Sequence, residues 1–371
     1  MLGIIQQKHT VNQSVFDLFS LKQFDDTRCL SLINEFDSNK SWKIFRDLGL
    51  FDCCTNKTEC SQKINRRLFD LIVYLSFQLD DPAMLLAVLF QLSGVMLPLA
   101  AHDDSPEVVD DFLYSMMKGE LIAAHCLTEP EAGTDSAAMK SVAEQKNQQW
   151  HIQGEKAFIC NANTADIGLV YAKTKQDSKS LFSDLAAFIV NLKQPNVHID
   201  KPLQKLGLQN ISMGNIVFDD VVSKYKVQIS GFTMLQTSTT YERIIIPLAF
   251  IGRMIRIYDI CAKSCRMLPQ THGYITNMHI KAQAAIALAL SFLSKINFLN
   301  WHRSYLQLGC TLKIHLTDSY LDIIRQSKKL FPYLTENQKK TITSEHKDAL
   351  GAWIYSGTND SLHSMLSKLI L

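Results

Sequence analysis

Residues 125–135 read HCLTEPEAGTD and turn a short apolar segment into a loop of small and acidic residues. Pro130 fixes its own φ angle and has no amide hydrogen, whereas Gly133 permits left-handed backbone or the close approach of another group. Such a loop displays backbone and hydroxyl groups. It therefore suits a planar ligand that forms hydrogen bonds.

A second loop of the same kind lies further along the chain. Residues 154–163 read GEKAFICNAN, and they follow the strand-like residues 150–153, WHIQ. We interpret the two loops as a pair of strand ends that act together.

In this order the two loops resemble the flavin-binding signature of the acyl-CoA dehydrogenase family, in which a TEPGAGSD loop is followed by G-x-K-x-(W/F)-I-T-N. Here Glu131 stands for the family's first loop glycine and Thr134 for its serine. Phe158 stands for its tryptophan or phenylalanine, and Cys160 for its threonine. The likeness continues in residues 205–208 (KLGL), 215–221 (NIVFDDV), 241–243 (YER) and 354–359 (IYSGTN), so that it covers nearly the whole chain.

Length and composition exclude several classes of protein. A chain of 371 residues, 47% of them hydrophobic, can bury a large core and form two or three domains. A formal charge of +2 with scattered basic residues predicts no nucleic-acid partner. Nine cysteines without C-x-x-C spacing or a leader-like start predict reduced thiols in the cytoplasm. The apolar run 84–101 is barely long enough for a membrane span, and it contains glutamine, serine and glycine, so we expect a buried core helix.

The pattern of apolar residues divides the chain into three regions. Residues 1–121 show helical spacing, as at Leu68, Leu71, Leu75 and Leu79. Residues 122–228 alternate as strands do, and helical spacing returns over 229–371. We therefore predict an α+β fold. The resemblance implies an N-terminal α-helical domain, a middle β domain and a C-terminal four-helix bundle around one flavin, assembled as a homodimer or homotetramer.

The family's reaction removes the α-proton of an acyl thioester with a carboxylate, while the β-hydride passes to the flavin. The base must be desolvated, and fixed donors must stabilise the developing enolate. In most members the base is the glutamate of an I-Y-E-G-T segment, where this chain has Ser356. A minority place it in an earlier Glu-Arg pair, which matches Glu242 and Arg243. We therefore assign Glu242 as the catalytic base and the backbone amide of Ser356 as a donor to the thioester carbonyl; the alternative is that Glu242 only pairs with a cation.

The resemblance also assigns the cofactor, FAD, and the residues around it. In the family an R-x-x-F-G segment and a Q-x-x-G-G turn hold the adenosine half, but the matching residues 265–269 (CRMLP) and 329–333 (KLFPY) lack those glycines. The substrate contacts implied are Thr134 and Arg243. The cofactor contacts implied are His125, Leu127, Thr128, Thr134, Phe158, Ile159, Cys160 and Arg266. Histidines 272, 279, 302 and 315 lack metal-ligand spacing, so no metal site is expected.

The leading hypothesis is therefore flavin-dependent dehydrogenation of an acyl thioester, carried on coenzyme A or on a carrier protein, with an electron-transfer partner as acceptor. The resemblance implies a role in fatty acid metabolism, and divergence at Ser356 and in the adenosine segments points to a specialised biosynthetic member that acts on acyl groups tethered to a carrier protein. Two alternatives have the same fold: a flavin-dependent monooxygenase, and a non-catalytic descendant that binds acyl thioesters or serves in assembly.

Overall fold

The computed structural model describes residues 15–21, 38–55, 61–102, 105–133, 135–174 and 184–371. Helices come first, a sheet follows, and helices return. The N-terminal helices are α1 (Ser38–Asp47), α2 (Ser61–Gln78), α3 (Ala83–Gln91), α4 (Leu97–His102), α5 (Pro106–Val108) and α6 (Tyr114–Met117). The strands are β1 (Ala123–Cys126), β2 (Val142–Lys146), β3 (Gln149–Cys160), β4 (Ile167–Lys173), β5 (Leu185–Asn191), β6 (Val197–Ile199), β7 (Met213–Ser223) and β8 (Tyr225–Lys226). The C-terminal helices are α7 (Gly231–Cys265), α8 (His272–Leu293), α9 (Tyr305–Lys328), α10 (Glu336–Ala352) and α11 (Asn359–Ile370).

The apolar stretch in the N-terminal region is a core helix with an irregular turn. The segments α3 and α4 are joined by π-helix over Leu92–Met96, which makes one helical rod. Among the described residues, Ala83–His102 is the one stretch long and apolar enough to cross a membrane by length and composition. However, 78% of its apolar window is buried inside the protein, as expected for a core helix. Leu68, Leu71, Leu75 and Leu79 are buried as well.

The described strands form one eight-stranded sheet. Its order is β6-β7-β3-β2-β4-β5-β8, and β1 pairs with β4 in parallel. In β4, Leu169 and Tyr171 pack toward the helices, whereas Val170 and Ala172 pack into a second core inside the β region. Both faces of β4 are therefore buried, which explains why its sequence is apolar without interruption.

Helix α7 is the central element of the C-terminal bundle. It packs against α2, α8 and α9, and its middle is buried on every side. A helix enclosed in this way lacks a polar face, which fits its run of apolar residues. Ser230 caps its first turn, because its side chain accepts a hydrogen bond from the Thr233 N–H.

The loop 205–211 docks the β region onto helix α10. A Cβ atom at Gly207 would lie 2.0 Å from the Lys347 carbonyl oxygen, so only glycine permits this approach. The Leu208 N–H donates to Asp348 at 2.6 Å. The Lys205 ammonium donates to the carbonyl oxygens of Leu203, Gln209 and Ile211, which hold the loop in shape. The predicted order of helical, β and helical regions is confirmed, and this docking joins the last two.

Candidate active site

The two loops of the signature are held together by a buried ion pair. Lys156 in β3 donates to Glu129 Oε1 at 2.8 Å and to the Leu127 carbonyl oxygen at 3.3 Å. The Ala157 N–H donates to the Thr128 carbonyl oxygen at 2.8 Å. Both charged side chains are almost fully buried. The ion pair between Glu129 of the first segment and Lys156 of the second thus holds the two segments side by side.

Backbone donors complete the surroundings of Glu129. The N–H groups of Lys140 and Ser141 donate to its carboxylate at 2.6 and 3.0 Å. Burial alone would raise the pKa of Glu129, but the Lys156 ammonium and these donors outweigh it and hold that pKa below its ordinary value. The carboxylate is therefore ionised and structural, and it shapes the loop rather than reacting.

Phe158 lies on the surface, two residues after Lys156 of the Glu129–Lys156 ion pair. Its side chain is 61% exposed, and its φ angle is +58°. The pairing of β3 with β7 is irregular here, between Lys156 and Ile159, and the Phe158 N–H donates to the Asn215 side chain at 3.3 Å. A bulky residue in the left-handed region is strained. The fold therefore presents an aromatic face to solvent at the edge of the two loops.

Glu242 lies where the sheet, the π-helical turn and the C-terminal region meet. It is buried on α7, and its Oε1 accepts a hydrogen bond from His125 Nδ1 at 2.8 Å. Its Oε2 accepts from the Ser356 hydroxyl. A Cβ atom at Gly94 would lie 2.7 Å from Oε1, so the glycine in the π-helix leaves room for the carboxylate. Each oxygen of this buried carboxylate thus has its own donor.

The turn that carries Ser356 is held by two buried cations. Ser356 has a φ angle of +49°, and its carbonyl oxygen accepts from Arg243 Nε at 2.9 Å. Lys313 donates to the carbonyl oxygens of Trp353 and Gly357 at 2.9 and 3.0 Å, and to the Asn359 side chain at 2.6 Å. Burial, and then the charge of Arg243, lower the pKa of Lys313 to about 7.

Other titratable groups surround Glu242 at longer range. Burial and then the Glu242 carboxylate raise the pKa of the Cys160 thiol. The same two causes, in the same order, raise the pKa of the Tyr355 hydroxyl. Burial also raises the pKa of Tyr171, and Glu242 contributes to that shift. These three side chains therefore stay protonated near neutral pH.

The structure places the predicted site residues unevenly. His125 and Cys160 lie near Glu242, and Leu127 and Thr128 lie at the first loop. Phe158 and Ile159, which we expected in a second loop, lie instead near the end of strand β3. Thr134 lies outside the described residues. Arg266 is exposed at the end of α7. At 1.5 Å per residue it is about 36 Å along that helix from Glu242, so one chain does not bring the two together.

Sequence reasoning missed several residues that shape the site. It assigned His125 to the flavin, although its side chain bonds Glu242, and it used only the backbone of Ser356, although the hydroxyl also bonds Glu242. It did not identify Gly94 or Lys313. The Glu129–Lys156 pair had a signal, because opposite charges occur in two loops that the sequence predicts to be neighbours. The others had none, since their partners are distant in sequence.

Comparisons with known proteins agree on the family. Residues 124–221 match the family model of the acyl-CoA dehydrogenase middle domain. The L-prolyl-[peptidyl-carrier protein] dehydrogenase of Pseudomonas fluorescens is 26% identical over 275 residues, which cover 71% of this chain and 72% of that protein. The short-chain specific acyl-CoA dehydrogenase of Clostridium acetobutylicum is 28% identical over 271 residues, 70% of this chain and 71% of that protein.

A solved structure extends the likeness over almost the whole fold. The structure of PigA with FAD and proline superposes with a TM-score of 0.81 at 18% identity, covering 98% of this chain and 97% of that one. The middle region of the chain thus matches the acyl-CoA dehydrogenase family, and the whole chain has the fold of that family's solved structures. The resemblance predicted from the signature loops is thereby confirmed.

Proposed function

We propose that this protein is a flavin-dependent dehydrogenase that oxidises an acyl thioester to its 2,3-enoyl thioester. The observation that carries the proposal is the buried carboxylate of Glu242, which accepts one donor on each oxygen beside the two signature loops. The names of the relatives describe dehydrogenases of acyl-CoA and of prolyl-carrier thioesters, in agreement with the class predicted from the sequence. They do not favour the oxygenase or the non-catalytic alternative.

Glu242 takes the α-proton of the thioester. Burial removes the water that would solvate its carboxylate, and a fixed orientation places an oxygen for the transfer. The backbone amide of Ser356 donates to the thioester carbonyl, where negative charge develops. Arg243 and Lys313 hold the turn that contains this amide. In this proposal Arg243 acts on the substrate through the turn.

The residues of the two loops fit the ring half of FAD. The exposed face of Phe158 and the backbone of the clamped loops offer an apolar surface and hydrogen-bonding groups to a planar ring system. When bound, the flavin would be the oxidant and would accept the hydride. The proposed contacts on this side are His125, Leu127, Thr128, Thr134, Phe158, Ile159 and Cys160.

The adenosine half requires a second copy of the chain. Because Arg266 lies at the far end of α7, it can meet the same cofactor only from another subunit. A homodimer or homotetramer follows from this assignment. The segments without glycine at residues 265–269 and 329–333 predict weaker binding of that half.

We further propose that the acyl group is carried on a carrier protein and that the enzyme works in the cytosol. The divergence at Ser356 and the carrier-linked substrate in the name of one relative support the first point. The described cysteines are free thiols, and the apolar helix Ala83–His102 lies mostly inside the protein, which fits a soluble enzyme in a reducing compartment. Comparing turnover of one acyl group on coenzyme A and on a carrier protein tests the tether.

The substitution E242Q tests the function itself. We expect the purified protein to show flavin absorption and E242Q to keep it, while turnover falls by about 10³-fold, because the amide cannot take up the proton. The control D259N changes a largely buried acid on the same helix and should leave turnover within about twofold. E242Q activity within about tenfold, or roughly 1.4 kcal/mol in the barrier, would exclude Glu242 as the base.

A further inference from the structure

We propose that His125 is a positioning residue that holds Glu242 in the orientation needed for proton abstraction. The inference rests on the proposed role of Glu242 as the base. His125 Nδ1 lies 2.8 Å from Glu242 Oε1, and the two side chains are 9% and 7% exposed. Water therefore has little access to weaken or replace this hydrogen bond.

The hydrogen bond to Glu242 uses one of the two ring nitrogens of His125. A carboxylate that acts as a base only accepts hydrogen bonds, so the proposed role of Glu242 places the hydrogen between the two groups on Nδ1. The other ring nitrogen, Nε2, is buried and has no hydrogen-bond partner among the described residues. Among the described residues, Glu242 is therefore the one hydrogen-bond partner of the imidazole.

The imidazole is itself fixed by its surroundings. It packs edge-to-face on Tyr171, with ring centroids 5.4 Å apart. The Tyr171 hydroxyl bonds the Ser238 hydroxyl at 3.0 Å, and Ser238 lies one helical turn before Glu242 on α7. Because β1 and β4 pair in parallel, neighbouring strands bond two successive turns of the helix that carries the base.

The two donors and the glycine leave the carboxylate one orientation. His125 Nδ1 bonds Oε1, which lies beside the backbone of Gly94, and the Ser356 hydroxyl bonds Oε2. The other titratable groups near Glu242 interact with its carboxylate through their charges, and none of them is hydrogen-bonded to it in the described structure. They are Cys160 on β3, Tyr171 on β4, Tyr355 before α11 and Arg243 on α7. Removing the His125 donor would leave one side of the carboxylate free to rotate away from the substrate.

Two substitutions separate the donor from the ring. H125N keeps an N–H donor at the same number of bonds from Cα but removes the ring, whereas H125F keeps the ring packing on Tyr171 but removes the donor. We expect H125F to lower kcat by about 10- to 100-fold with KM within about threefold, because binding is kept and proton transfer is misaligned. H125N should restore kcat to within about fivefold of the wild type.

Proton transfer can also be measured apart from turnover. Exchange of the α-hydrogen into ²H₂O, from an acyl thioester that has no β-hydrogen, reports on the base alone. H125F should slow this exchange by the same factor as kcat and increase the isotope effect of an α-deuterated substrate. Thermal unfolding and flavin content of each variant show whether the fold is kept; H125L replaces H125F if the latter does not fold.

The outcomes distinguish this inference from the proposed function. If H125F exchanges and turns over normally, or if H125N is impaired as strongly as H125F, His125 does not position the base through its hydrogen bond. If E242Q keeps its activity, the assignment of the base is wrong whatever His125 does. Loss in E242Q and H125F together with recovery in H125N supports both.

Discussion

Substitution of Gly94 tests how much space the carboxylate of Glu242 needs in the site. In G94A the new Cβ would lie 2.7 Å from Glu242 Oε1 and 3.0 Å from His125 Cβ. An ordinary carbon–oxygen contact is about 3.3 Å, so the carboxylate must retreat by roughly 0.6 Å. A displacement near 1 Å can lower a rate by about 10²-fold. We therefore expect kcat to fall by about 10- to 100-fold.

Stability should not fall in parallel. Alanine is a better helix former than glycine by about 1 kcal/mol, which offsets part of the crowding. The control G273A places the same methyl group in helix α8, where nothing lies within 4 Å, and should leave turnover unchanged. The assays are steady-state kinetics and denaturant unfolding of both variants. G94A turnover within twofold of the control would refute the close fit.

Three more perturbations follow from the same contacts. K156M should lower the free energy of unfolding by about 3–5 kcal/mol and reduce the flavin content, since it leaves Glu129 buried without its cation. The control K140M removes the lysine of an exposed ion pair and should change neither quantity much. F158G should leave the stability of the flavin-free protein unchanged or raise it by up to about 1 kcal/mol, because glycine releases the strain at φ +58°. In an FAD titration the same variant should bind about tenfold more weakly, because the aromatic ring that packs on the flavin is lost. Unchanged affinity would contradict this contact. The pKa of Lys313 in the folded protein is about 7, below the ordinary 10.5, so between these two values the unfolded chain binds more protons than the folded protein. The contribution of Lys313 to the free energy of unfolding therefore rises with pH in this range, by up to about 1.4 kcal/mol per pH unit. The measurement is a pH series of unfolding curves, and a K313M variant that keeps this slope would count against the assignment.

The fold and the family could be predicted from the sequence because their signals are local. Helical spacing at Leu68 and Leu71 and the alternation in residues 150–153 arise from a few neighbouring side chains. The two signature loops carry their own turn residues, such as Pro130. Comparison with solved structures confirms the α+β order that these signals predict.

The position of Glu242 next to Arg243 was likewise visible in the sequence, and its role as base stays a proposal. The sequence could not predict the donors to its carboxylate. His125 is 117 residues away along the chain and Ser356 is 114 residues away. The pairing of β1 with β4 and the strained turn before α11 bring both to one point on α7.

The sequence by itself thus determined which segments form helices and strands and which segments carry the signature, and its resemblance to the family implied that Ser356 stands where most members have a glutamate. Only the tertiary structure decided that Ser356 and His125 serve the carboxylate of Glu242, and that Lys156 locks the loops through Glu129. The physical reason is that periodicity and turn chemistry act between near neighbours in the chain. Hydrogen bonds and ion pairs of a buried site instead depend on which distant side chains the packed core brings within about 3 Å.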